Sequence, residues 1–213
     1  MRILNLIDHC IINADNMLRT IYPPQKRHTE RESPANQFAE PILSHDERQH
    51  IAGLLRVNHA GEVCAQALYQ GQAITAKLET TRTQMNLSAQ EERDHLGWCE
   101  QRLKELKNKP SLLNPVWYAG SLLLGICAGL IGDSWSLGFV AETERQVTAH
   151  LMRHIERLPL QDQKTHAILS QMKMDEEKHA EIAINAGAKE LPLLLKQLMY
   201  FTSKLLTTSS YYF

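Results

Sequence analysis

The sequence contains a pattern of metal-binding residue types that occurs twice: a single glutamate followed, after 30 residues in one copy and 32 in the other, by a Glu-x-x-His motif. On an α-helix, residues i and i+3 lie on the same face, so each motif directs a carboxylate and an imidazole towards one point. The six residues are Glu62, Glu92 and His95 in the first copy, and Glu144, Glu176 and His179 in the second.

Four carboxylates and two imidazoles are the ligand set of the di-iron and di-manganese carboxylate bundles. Carboxylates can bridge two cations, imidazoles suit iron, and four negative charges neutralise two divalent ions. Without metal, the same carboxylates repel one another inside a core. The pattern therefore predicts a centre of two iron ions, although the ligand types alone do not distinguish iron from manganese.

The apolar stripes of the helices support this choice of residues. Glu144 continues a stripe that contains Leu137 and Val140, and Glu176 continues one that contains Ile168 and Met172. A charged side chain in an apolar stripe is costly unless it is paired or bound to metal.

A further Glu-x-x-His motif, Glu47 with His50, is interpreted differently. Ser44 and Glu47 form the signature of a capping box, in which each side chain binds a free backbone amide at the start of a helix. A lone Glu-x-x-His on an amphipathic helix is more often a solvated pair, and Glu47 lies too far before Glu62 on one helix to reach the same site.

Other side chains near the six leave alternatives open. His59, three residues before Glu62, is expected to pack or hydrogen-bond rather than bind metal. His150 is either a residue that orients a ligand or a surface residue, and Tyr69 either lines the site or is an ordinary core aromatic. The remaining histidines, His154 and His166 among them, are expected at the surface.

The elements that must position these residues are helices. Residues 3–21 form an amphipathic pattern, residues 22–43 are a proline-rich linker, and nothing alternates as a strand would. We therefore expect an all-α, ferritin-like four-helix bundle with extra N-terminal, apolar and C-terminal helices, divided into residues 1–44 and a metal-binding domain, 45–213. The predicted helices from residue 45 onwards are 45–78, 82–107, 112–131, 134–157, 162–187 and 190–206.

Composition narrows the class of protein. The chain has 213 residues, enough for one domain, and a net charge of -1, so no basic excess suggests nucleic-acid binding. Its four cysteines form no C-x-x-C pair, which favours free thiols in a reducing compartment. The N-terminus lacks the long apolar core of a secretory signal, and we expect a protein on the cytoplasmic side of a bacterium.

Several of these motifs resemble one family, the demethoxyubiquinone hydroxylases. The stretch Asn58-His59-Ala60-Gly61-Glu62 resembles its first ligand motif. Further resemblances lie in Glu92-Arg93-Asp94-His95, in Pro115-x-Trp117 with the apolar segment after it, in Glu144 with His150, and in Asp175-Glu176-Glu177-Lys178-His179. The similarity covers roughly residues 45–205. Around Glu144 the sequence departs from many relatives, with Arg145 and Gln146 where they have a second glutamate and aromatic residues.

The resemblance implies a ferritin-like di-iron monooxygenase of ubiquinone biosynthesis, which hydroxylates a demethoxyubiquinol-type ring with molecular oxygen. It implies the same six residues as iron ligands, a polyprenylated quinol as substrate, and peripheral association with the cytoplasmic face of the bacterial inner membrane. Other ubiquinone-biosynthesis proteins and a second copy of the chain are further expected partners.

The uncharged segment 111–132 is long enough to span a bilayer, yet it contains a proline and four glycines. A buried, a spanning and an interfacial helix all fit it. We favour an interfacial or tunnel-lining helix, because a spanning one would separate the two halves of the metal site.

Two other functions fit part of the pattern. A rubrerythrin-type peroxidase or an iron-storage protein shares the ligand scheme but has no need of segment 111–132. A metal-free helical scaffold at a membrane is the non-enzymatic alternative, and the iron content of the purified protein distinguishes it.

Overall fold

A computed structural model describes residues 5–22, 24–25 and 27–213, without the side chains of Leu6 and His9. The described residues form α-helices and one short 3-10 helix, at Pro34–Gln37, and no strand. The α-helices are α1 (Leu6–Ile21), α2 (His45–Thr75), α3 (Glu79–Glu105), α4 (Asn114–Ile131), α5 (Asp133–Ile155), α6 (Gln163–Asn185) and α7 (Leu193–Tyr212).

The helix boundaries follow the local signals in the sequence. The capping box predicted at Ser44 and Glu47 is present, with the two side chains binding each other's backbone amides. Asn5 and Asp8 form a second capping box at the start of α1. Residues 3 and 4 of the predicted first helix lie outside the described residues.

The core is a bundle of α2, α3, α5 and α6, whose apolar faces meet around buried residues such as Leu55, Trp98 and Leu169. The expected all-α, ferritin-like fold is confirmed. All four cysteines are free thiols, as predicted, and Cys99 is buried in the same core.

Helix α4 packs against α2 at glycines. A methyl group added at Gly125 would lie 2.3 Å from the carbonyl oxygen of Leu68, and one added at Gly71 would lie 2.5 Å from that of Leu122. The two backbones therefore touch with no side chain between them. Glycine is required at Gly125 on this face of α4, because any side chain there would meet the backbone of α2.

The opposite face of α4 is exposed and apolar: Val116, Leu123 and Leu130 are each more than 60% exposed. By length and composition, α4 is the one described helix that could cross a membrane, a weak criterion that core helices of soluble proteins also meet.

The predicted linker is packed onto the bundle by ion pairs. Arg27 binds Glu100 on α3, and Glu40 pairs with the buried guanidinium of Arg102. Helix α7 returns along α2, where Tyr211 accepts a hydrogen bond at its carbonyl from Arg56. It thereby closes one side of the bundle.

Candidate metal centre

The six residues of the repeated pattern are brought together at the centre of the bundle. They come from four helices: Glu62 from α2, Glu92 and His95 from α3, Glu144 from α5, and Glu176 and His179 from α6. None is more than 3% exposed.

Two of the carboxylates lie between the two imidazoles. His95 Nδ1 is 3.1 Å from one oxygen of Glu92 and 3.2 Å from one oxygen of Glu176. His179 Nδ1 is 3.2 Å from the other oxygen of Glu92 and 3.0 Å from the other oxygen of Glu176. Each of these glutamates thus presents one oxygen to each histidine, the arrangement of a carboxylate that bridges two cations.

The remaining two carboxylates flank this central pair. Glu62 Oε2 is 3.5 Å from His95 Nδ1, and ligand atoms of Glu62, Glu92, His95 and Glu176 all lie within 4.8 Å of one another. Glu144 interacts electrostatically with Glu176, Glu92 and His179. The donor set and its burial are compatible with a metal site.

The outer ring nitrogens of the two histidines face further carboxylates. His95 Nε2 lies 2.9 Å from Asp175 Oδ2, which also binds Arg31, and His179 Nε2 lies 2.5 Å from Glu91 Oε2. Such partners fix the tautomer of a metal-binding histidine, with the proton on Nε2 and the lone pair of Nδ1 facing inwards. Neither role was predicted from the sequence, although Asp175 and Glu91 each directly precede a predicted ligand.

The structure places Tyr69, His59 and His150, for which the sequence left alternatives open. Tyr69 is fully buried and donates a 2.5 Å hydrogen bond to Glu144, so it touches the site. His59 is a hydrogen-bonding residue as expected, next to Glu100 and Asn114. No hydrogen bond joins His150 to the six residues in the described part of the chain.

The surface position predicted for His154 is wrong. The side chain is 5% exposed, because α7 covers this end of α5 and the ring of His150 packs against it with centroids 3.8 Å apart. His166 is exposed, as predicted.

Burial and crowding of like charges dominate the electrostatics of the site. Burial, and then the neighbouring carboxylates, raise the pKa of Glu62 and of Glu144 well above the usual range. Burial opposes the positive charge of His179, but hydrogen bonds with Glu176 and Glu92 outweigh it and raise its pKa to about 12. Burial is outweighed at Glu92 by hydrogen bonds with Glu62, His179 and His95, which hold its pKa well below the usual range.

An apolar cavity of about 320 Å³ leads to the cluster between α2, α4, α5 and α7. Its inner end is formed by Glu62, Glu144 and Glu176, and its walls include Trp117 and Phe139. A β-carbon at Gly61 would meet nothing within 4 Å, so this glycine widens the cavity beside Glu62.

The sequence matches one protein family and several relatives that share one name. The family described as ubiquinone biosynthesis protein COQ7 matches residues 49–210. Proteins named 3-demethoxyubiquinol 3-hydroxylase are 62% identical in Legionella pneumophila and 53% identical in Acinetobacter baylyi, over 212 residues and 100% of both chains in each case. The Nitrosococcus oceani protein of that name is 53% identical and covers 99% of this chain and 98% of its own.

One solved structure resembles the fold. The thioferritin of Bacteroides fragilis, described as dodecameric, superposes with a TM-score of 0.51 at 17% identity, over 65% of this chain and 84% of its own. At that identity the likeness shows a ferritin-like fold alone.

Proposed function

Because this chain belongs to the COQ7 family of ubiquinone biosynthesis proteins, its reaction is the ring hydroxylation of a 3-demethoxyubiquinol, and we propose that two iron ions held by six buried side chains carry it out. The ligands would be Glu62, Glu92, His95, Glu144, Glu176 and His179. The quinol and molecular oxygen are the substrates of such a hydroxylase.

The observation that carries the proposal is the position of Glu92 and Glu176 between the two imidazoles. Four carboxylates with their charges so close are stable in a core only if protons or cations compensate them. Glu92 Oε1 is buried and lies 3.2 Å from His179 Nδ1, so these two atoms could bind one metal ion. Two divalent ions would balance the four negative charges.

Iron, when bound, supplies the activation of molecular oxygen for its insertion into a ring C–H bond. The chain supplies position and surroundings. Asp175 and Glu91 hold the imidazoles of His95 and His179, and Tyr69 holds the carboxylate of Glu144. The apolar cavity excludes water and gives the quinol ring a route to Glu62 and Glu144.

We propose that the protein associates peripherally with the cytoplasmic face of the bacterial inner membrane, and its substrate and its exposed surface support contact with lipid. A polyprenylated quinol resides in lipid, and both α4 and α7 line the cavity. Their outer faces are apolar: Leu123 is 63% exposed on α4, and Leu198 and Phe201 are 59% and 67% exposed on α7. We propose that these faces lie on the bilayer without crossing it, as an interfacial helix pair does.

Quinone profiling of bacteria that lack this protein tests the reaction. We expect a quinol precursor without one ring oxygen to accumulate, and the wild-type chain to restore the normal quinone. An unchanged quinone pool would overturn the proposed reaction.

Metal analysis of the purified protein tests the metal centre separately. Two irons per chain are expected, and iron should be lost in Glu92→Ala but not in the solvent-exposed Glu177→Ala.

Flotation with liposomes tests the membrane contact. Wild type should float with lipid, and Phe201→Glu should float less while retaining its iron. Equal flotation of both proteins would argue against α7 as part of the contact. The other ubiquinone-biosynthesis proteins and the second copy of the chain remain proposed partners, for which the same exposed faces are available.

A further inference from the structure

A second pocket, of about 430 Å³, lies beside the substrate cavity. It is enclosed by the end of α5, the C-terminal half of α7 and the start of α2. The two spaces share wall residues, among them His150 and Ser203. Its volume is that of a site for a small molecule.

Positive charge distinguishes this pocket from the apolar cavity. Arg153, Arg157 and Lys204 line it, and no carboxylate is among the described residues that do so. None of the three cations forms an ion pair in the described part of the chain; Lys204 lies over the ring of Tyr200 instead, 5.6 Å from its centroid. Elsewhere on the bundle, arginines such as Arg27 and Arg102 are paired with carboxylates.

Two buried imidazoles beside these cations also lack partners. His154 Nδ1 and His150 Nε2 are shielded from solvent and have no hydrogen-bond partner among the described residues. Both rings line the pocket, so their signals report on what occupies it. Burial, and then the nearby cations Arg153, Lys204 and Arg157, lower the pKa of His150 to about 4.

We propose that this pocket binds the phosphate group of an organic phosphate ester through Arg153, Arg157 and Lys204, beside the imidazoles of His150 and His154. Guanidinium groups match the oxygens of a phosphate with two parallel hydrogen bonds, and a lysine adds a point charge. The hydroxyl of Ser203 on the shared wall is a further donor.

The phosphate can come from two sources, a soluble ester or the headgroup of an anionic lipid. The wall formed by α7 is apolar on its outer side, where lipid would lie if the proposed membrane contact is correct. The shared wall places either ligand next to the quinol cavity, so occupancy would stiffen His150 and Ser203 on both sides.

Nuclear magnetic resonance of the histidine ring nitrogens in the full chain tests the site. One arm titrates sn-glycerol 3-phosphate, and the other compares vesicles of phosphatidylglycerol with vesicles of phosphatidylcholine. We expect saturable shifts of the His150 and His154 signals with the soluble ester, with phosphatidylglycerol, or with both. The arm that saturates identifies the source, and absence of saturation in both arms overturns the proposal.

Variants that remove positive charge from the pocket test which residues bind the phosphate, and a variant outside the pocket is the control. Arg153→Gln combined with Arg157→Gln should weaken binding at least about 10-fold, because it removes two charged hydrogen-bond donors to the phosphate. Lys104→Gln, which removes an exposed cation on α3 outside this pocket, should change affinity less than two-fold. Lys204→Gln is the second variant, should the double variant not fold. Equal weakening by Lys104→Gln would reduce the effect to general surface charge and overturn the site. The measurement requires neither iron nor turnover, so its failure is distinct from failure of the proposed hydroxylase centre.

Discussion

Replacement of Asp175 by asparagine tests whether this carboxylate orients the imidazole of His95 in the proposed metal centre. Asp175 Oδ2 lies 2.9 Å from His95 Nε2 and 2.8 Å from the Arg31 guanidinium. Asparagine keeps the shape but removes the negative charge that fixes the imidazole. Arg31 keeps its 2.9 Å ion pair with Asp94, so the fold should survive.

The expected magnitude follows from the position of the carboxylate. Losing the outer partner of a metal-binding histidine typically costs 10–100-fold in metal affinity, or about 1.4–2.7 kcal/mol. The Asp175 side chain is 12% exposed, whereas that of Glu91, the partner of His179, is 40% exposed. Water can partly replace Glu91, so Asp175→Asn should lie in the upper half of that range and Glu91→Gln in the lower half.

Competition with a chelator, followed by iron analysis, measures the affinity. The matched control is Glu177→Gln on the same helix, whose side chain is 51% exposed and pairs with Lys173. Wild-type affinity in Asp175→Asn, or an equal loss in Glu177→Gln, would refute the assignment of Asp175 as the residue that orients His95.

Three further outcomes are expected. Tyr69→Phe removes the hydrogen bond to the buried Glu144 and should lower the free energy of unfolding by about 1–3 kcal/mol in chemical denaturation. Gly61→Leu fills the cavity and should reduce hydroxylation at least about 10-fold without destabilising α2, whereas Gly125→Ala should destabilise the fold, because its methyl group would meet a backbone oxygen. Burial, and then nearby positive groups, lower the pKa of His154 to about 2, so unfolding takes up a proton below about pH 6.5. The contribution of His154 to stability should therefore fall by about 1 kcal/mol between pH 7 and pH 5.5, and urea titrations of His154→Leu should lack this part of the loss.

The helices were predictable because their periodicity and end signals are local. Helix α5 was expected over 134–157 and forms over Asp133–Ile155, and the capping box at Ser44 sets the start of α2. The convergence of the six side chains was also predictable, since each Glu-x-x-His motif places its two side chains on one face of a helix and the order of the residues repeats in the two halves.

The outer carboxylates were not predictable from the same pattern. Asp175 and Glu91 each precede a predicted ligand by one position, which on a helix is a turn of about 100° away from the site. They reach the histidines across an interface between helices, a distance that no single helix encodes. His154 was misplaced for a related reason, because the covering helix is distant in sequence.

The glycine contact between α2 and α4 has a consequence for how the enzyme admits a bulky ring. Two backbones in direct contact leave no compressible layer, so these helices move as one rigid unit that carries Glu62. Helix α7 is attached to the rest by side chains and a few polar links, such as the hydrogen bond from Trp117 to Ser210. We therefore expect the apolar cavity to widen by movement of α7. The strength of those few links then sets how readily a substrate enters.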